Sequence, residues 1–139
     1  MRKCKKSLKK IHIYSKSDNQ QFGERLKLLN FDQDGYDCIH PVFIENLNLL
    51  VFSSNRAGGL GGFDLYGSYR MDSIWSPVFS LGSEVNTSSN ECFPSVHGNE
   101  LFFTRMSENG NSQCYRVPLN TQFIGVHPLA EFNGFTRLV

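Results

Sequence analysis

Three residues around one turn have the strongest claim on chemistry: Asn55, Arg56 and Asp64, which bracket the run Gly58-Gly59-Leu60-Gly61-Gly62. A guanidinium at a strand end can hold a carboxylate on a partner or on a neighbouring sheet. Asp64 can accept backbone N–H groups of the turn or pair with Arg56. These three form the expected interaction surface. The glycines raise the question of a phosphate cradle. A Walker loop needs Gly-Lys-Ser/Thr and then a helix, whereas Phe63-Asp64 follows here, in a strand. A dinucleotide fingerprint also needs a helix after its glycines. The run therefore reads as a glycine-rich hairpin between two strands.

The remaining reactive side chains form no catalytic pattern. Asp32, Asp34 and Asp37 surround Gly35, but they lack the ligand spacing and the closing Glu of a calcium loop. A hydrated turn is the better reading. His12, His40, His97 and His127 have no metal-ligand spacing. His40 precedes Pro41 and suits local packing. No Gly-x-Ser-x-Gly elbow is present. No pair of carboxylates has an acid/base context. Cys4, Cys38, Cys92 and Cys114 contain no CxxC pair, so they read as buried or half-buried thiols. The expectation is no catalytic residue, no cofactor and no metal: the chain is not an enzyme.

The elements that carry these residues follow from composition and repetition. Charged residues are only 19% and hydrophobic ones 40%, which excludes a disordered chain. Many aromatics with many glycines point to short strands joined by tight turns. The first ten residues hold six basic side chains and no acid, and the other 129 carry a net charge of −5. That head reads as a solvated terminus (segment 1–9), with nucleic-acid contact disfavoured. IHIYSKSDNQQ follows it and supplies no apolar run for a signal peptide. No stretch suits a transmembrane helix.

Landmarks recur at about fifty residues. Tyr14, Phe22 and Leu28 match Tyr66, Trp75 and Leu81, then Tyr115, Phe123 and Leu129, with Tyr-to-Tyr spacings of 52 and 49. His40-Pro41 leads to Leu50-Val51-Phe52 as Phe93-Pro94 leads to Leu101-Phe102-Phe103. The length difference falls at Glu45-Asn46-Leu47-Asn48 against Gly98-Asn99, where a turn can absorb it. A period near fifty suits four short strands, as in a β-propeller blade. Strands are expected near 10–15 and 20–28, then 41–44, 49–54, 63–70 and 75–80, then 94–97, 101–106, 113–118 and 122–127. Pro41 and Pro94 are expected at strand starts. Asp34-Gly35 and Asn109-Gly110 are expected to supply positive φ in turns. Phe22, Trp75 and Phe123 are expected to pack between blades.

The central copy resembles the TolB-like, WD-repeat-like β-propeller repeat family, in the variety found in bacterial envelope proteins beside an OmpA-like domain. The resemblance rests on His40-Pro41, Phe52-Ser53-Ser54-Asn55-Arg56, Gly58 to Gly62, Asp64-Leu65-Tyr66, Trp75-Ser76, Leu81-Gly82, Asn86-Thr87 and Asn90-Glu91 before Phe93-Pro94. It covers roughly residues 10–130. The third copy departs from it, with Gln113-Cys114-Tyr115 in place of Asp-Leu-Tyr. The resemblance implies a noncatalytic scaffold of the periplasm or outer membrane, whose partner is a protein or cell-wall component.

The expected fold is thus all-β: a partial β-propeller of two and a half to three four-stranded blades. It divides into a half blade at 10–30, blades at 37–81 and 90–129, and a tail at 130–139. A ring closes with about four to eight blades. The remaining blades, or a second copy of the chain, would have to complete it, and a fragment of a longer protein is the favoured reading. The expected function is a binding or scaffold module. The alternative is a piece of a propeller-containing hydrolase or carbohydrate-active protein whose catalytic residues lie elsewhere.

Overall fold

The computed structural model describes residues 9–16, 22–26, 35–72 and 74–119. Three antiparallel sheets follow one another along the chain. The first pairs β1 (Ile13–Lys16) with β2 (Phe22–Leu26). The central sheet runs β3 (Cys38–Ile44), β4 (Leu49–Ser54), β5 (Asp64–Met71), and then the short β6 (Ile74–Trp75) and β7 (Phe79–Ser80), both paired with β5. The third sheet is β8 (Asn90–His97), β9 (Glu100–Met106) and β10 (Ser112–Pro118), with β9 in the middle. The all-β expectation holds, and the sheets form no closed ring among the described residues. Tyr14 falls in β1, opposite Arg25. Leu28, Asp32, Asp34, Phe123, His127, Leu129 and the strand expected near 122–127 lie outside the described residues, as do residues 1–8 and 130–139.

The central and third sheets repeat each other in register. Cys38 pairs with Ser54 as Glu91 pairs with Arg105, so β8 is β3 moved on by 53 residues and β9 is β4 moved on by 51. Tyr66 opposes Phe52 as Tyr115 opposes Phe103. Both ladders break at the same place, between Ile39 and Val42 and between Cys92 and Ser95. The prolines therefore sit inside strands, at bulges, and not at strand starts. A bulge is where a strand tolerates a missing N–H. The residue before each proline, His40 or Phe93, takes a positive φ of 52° or 53°. Bulky residues pay about 1–3 kcal/mol for such backbone, and the two rings stack with centroids 3.9 Å apart.

The fourth strand of the central sheet is split by Ser76-Pro77-Val78. Pro77 cannot donate to a ladder. Ser76 compensates: its N–H donates to the Tyr69 carbonyl at 2.8 Å, and its hydroxyl accepts the Tyr69 N–H at 2.9 Å. The β3–β4 connection is a short 3₁₀ turn at Glu45–Leu47, where the third sheet has only Gly98-Asn99. Gly110 has the positive φ expected of its turn.

Alternation along the strands gives the central sheet two buried faces, as a sheet between two layers requires. Leu49, Val51, Leu65, Tyr69 and Phe79 meet Leu101 and Phe103 of the third sheet. On the opposite face Leu50, Phe52 and Tyr66 pack with Ile11 and Tyr36. Trp75 packs half-buried against this second cluster. Complete burial of a side chain such as Phe52 contributes about 1.5–3 kcal/mol. Burial also pushes the Tyr69 hydroxyl up to about 12.

Candidate functional site

Asn55, Arg56 and Asp64 all lie at one end of the central sheet, where β4 leaves and β5 begins. Their roles divide. Asp64 is buried and presents no surface. Its carboxylate accepts the Leu60 N–H at 2.5 Å and the Gly61 N–H at 3.2 and 3.3 Å, which folds the glycine loop back on itself. A Cβ on Gly59 would overlap this carboxylate. One on Gly61 would overlap the backbone carbonyls of Thr87 and Ser89. The glycines thus serve close approach, and the loop seats against the connection that enters the third sheet.

That connection is held by residues whose roles the sequence did not reveal. Asn86 accepts the Leu65 N–H at 2.7 Å and donates to the Leu65 carbonyl at 2.9 Å, closing the edge of β5. Asn90 accepts the Phe63 N–H at 2.8 Å, and the Glu91 N–H donates to the Phe63 carbonyl at 2.8 Å. The same clamp appears one repeat earlier. Asp37 accepts the Lys9 N–H at 2.7 Å, and the Cys38 N–H donates to the Lys9 carbonyl at 2.7 Å. The available signal was the spacing of 53 between Asp37-Cys38 and Asn90-Glu91.

Asn55 is exposed, and its side-chain oxygen accepts the Asp37 N–H at 2.6 Å. Arg56 is half-buried among rings. Its Cζ lies 4.6 Å from the ring centroid of Tyr36, 5.0 Å from Tyr66 and 5.5 Å from Phe52. Its directed polar contacts are long: Nε to Ser54 Oγ at 3.4 Å and Nη2 to Cys38 Sγ at 3.7 Å. No carboxylate lies within ion-pair distance of it among the described residues. The structure thus brings Arg56 and Asp64 to one end of the sheet without pairing them. Burial and the neighbouring Asp64 raise the Tyr66 hydroxyl, against the pull of Arg56.

The third sheet holds a counterpart. Arg105 Cζ lies 4.1 Å from the Tyr115 ring and 5.8 Å from the Phe103 ring. Here a carboxylate is built in. Arg105 Nε meets Glu91 Oε1 at 3.0 Å, and the Thr87 hydroxyl donates to the same oxygen at 2.5 Å. The Arg105 Nη2 donates to the Val85 carbonyl at 2.9 Å. Glu91 is fully buried and its Oε2 has no hydrogen-bond partner. Burial pushes its carboxyl above the ordinary value, and the bonds from Thr87 and Arg105 only partly oppose this.

Elsewhere the side chains offer less chemistry. An open groove of about 360 Å³ on the Phe52 face is lined by Ile11, Phe43, Leu50 and Trp75 together with His12 and Arg70. Burial and the charge of Lys9 lower the His40 imidazole, whose Nδ1 has no hydrogen-bond partner. Cys38 and Cys92 are buried thiols. Cys114 is exposed, unlike the expectation, because β10 turns that position away from the central sheet. Among the described residues, no group of three or more His, Cys, Asp or Glu could hold a metal ion. Nor is any described helix long and apolar enough to cross a membrane. No family model, curated protein or solved structure matches the chain.

Proposed function

We propose that this chain is a noncatalytic binding or scaffold module, built from stacked four-stranded sheets of the β-propeller kind, with a protein or cell-wall component of the envelope as its partner. The observation that supports it is the repeated junction. Two successive sheets enter through the same two-bond clamp, Lys9 with Asp37 and Cys38, then Phe63 with Asn90 and Glu91. Repetition of one junction extends a stack and leaves the loop end of every sheet on the same side, as repeat scaffolds do. The polar side chains at that end are engaged in holding loops, which suits a rigid surface for recognition.

The test is incubation of the folded chain with purified peptidoglycan sacculi and with envelope proteins. Saturable retention with the bound material chemically unchanged is the expected result. Release of soluble sugar or peptide fragments would overturn the reading in favour of a hydrolase.

A further inference from the structure

We propose that Arg56 is a docking point for a carboxylate on an acidic segment of a partner protein. The proposal rests on the binding-module reading and adds the chemistry of the partner.

The molecule carries its own reference for this site. Each of two sheets places a guanidinium over a Phe–Tyr pair at its loop end: Arg56 over Phe52 and Tyr66, Arg105 over Phe103 and Tyr115. The register makes Cys38 the counterpart of Glu91: Cys38 opposes Ser54 and Glu91 opposes Arg105, so Arg105 stands at the Ser54 position and Arg56 reaches over the matching Phe–Tyr pair from just beyond it. In the third sheet that position supplies a carboxylate to the arginine at 3.0 Å. In the central sheet it supplies only a thiol at 3.7 Å, and a thiol is a weak acceptor. Two carboxylates at the same end of the sheet are engaged with backbone: Asp64 in its own loop, Asp37 with the Lys9 N–H. Among the described residues, Arg56 thus engages a hydroxyl and a thiol and no carboxylate, and it is half-buried, within reach of solvent.

The chemistry selects a carboxylate. A planar guanidinium fork matches two carboxylate oxygens, and rings beneath the cation limit the motion that binding must freeze. The internal counterpart uses one singly charged group. A phosphate dianion would carry more negative charge toward Asp37 and Asp64, which flank the site.

Fluorescence anisotropy with a labelled Asp/Glu-rich peptide and its Asn/Gln counterpart tests the assignment. The acidic peptide is expected to bind at least about tenfold more tightly than the amide form, as a charge-assisted pair requires. Arg56→Gln should lose that preference. Cys38→Asp should also lose it while the fold is kept, because the new side chain supplies the internal carboxylate that Glu91 supplies to Arg105. If Arg56→Gln fails to fold, Cys38→Asp still decides. Displacement of the peptide by acetate supports the carboxylate. Equal binding of the amide peptide, tighter competition by inorganic phosphate, or unchanged binding in both variants would overturn it. None of those outcomes touches the scaffold reading, which falls only if the intact chain cleaves sacculi.

Discussion

The two junctions of this molecule use one backbone device and two different electrostatic fillings. Asp37 and Asn90 clamp their sheets identically, each accepting an N–H from the preceding segment. Beside the second clamp lies a buried ion pair, Glu91 with Arg105; beside the first, Arg56 faces a thiol. Backbone hydrogen bonding thus sets how sheets follow one another, while the charge at each junction varies freely. A buried carboxylate needs a partner, so it commits the second junction to internal structure. The first junction keeps its cation within reach of solvent.

The sharpest way to break this comparison is to wedge one junction open. Gly61→Val drives a side chain into the carbonyls of Thr87 and Ser89, and the second junction should lose about 3 kcal/mol or more. Denaturant unfolding measures the loss. Hydrogen exchange should show the Glu91 amide exposed before that of Cys38, and equal exposure would mean that the junctions open together.

Next in size is the contrast of fillings. Glu91→Ala leaves Arg105 without its carboxylate and should cost about 2–3 kcal/mol, below a fully buried pair because Arg105 is partly exposed. Cys38→Ala removes only a small buried thiol and should cost about 1 kcal/mol. Equal losses would mean that the ion pair adds nothing to its junction. Smaller still, Asp37→Ala and Asn90→Ala each remove one side-chain acceptor for a backbone N–H and should each cost about 1 kcal/mol. A large difference between them would deny that the clamps are equivalent.

The mildest effect is the pH dependence that Glu91 gives the second junction. The folded state holds the Glu91 carboxyl above its ordinary value of 4.5, so between the two values it binds more protons than the unfolded chain. Stability should therefore fall as pH rises from about 4.5 through the folded value. Glu91→Gln should remove this component of the pH profile, whereas Cys38→Ser should leave it in place. Denaturation midpoints across that range provide the check.

Much of the fold was legible in the sequence because strands repeat a side-chain pattern. The spacing of Tyr66 and Tyr115 placed them at equivalent ladder positions, each opposite a Phe. The indel between Leu47 and Gly98 fell in a turn, as a change outside the core should. The bulges were not legible, since a proline marks a missing N–H without saying whether the strand begins there or bends there. The site was half legible. Arg56 and Asp64 were identified by type, but whether the carboxylate would face the guanidinium or the loop depended on geometry. Glu91 entered only through the resemblance, and Arg105 was not singled out.

The amino-acid sequence alone determined that this chain forms antiparallel strands in units of about fifty residues, because alternation and turn chemistry act over a few neighbours at a time. Only the tertiary structure decided which polar groups meet. Asn90 finds Phe63, Glu91 finds Arg105, and Arg56 finds three rings and a thiol because sheets stack at a fixed register. Contacts between distant residues follow from packing, and no local pattern encodes them.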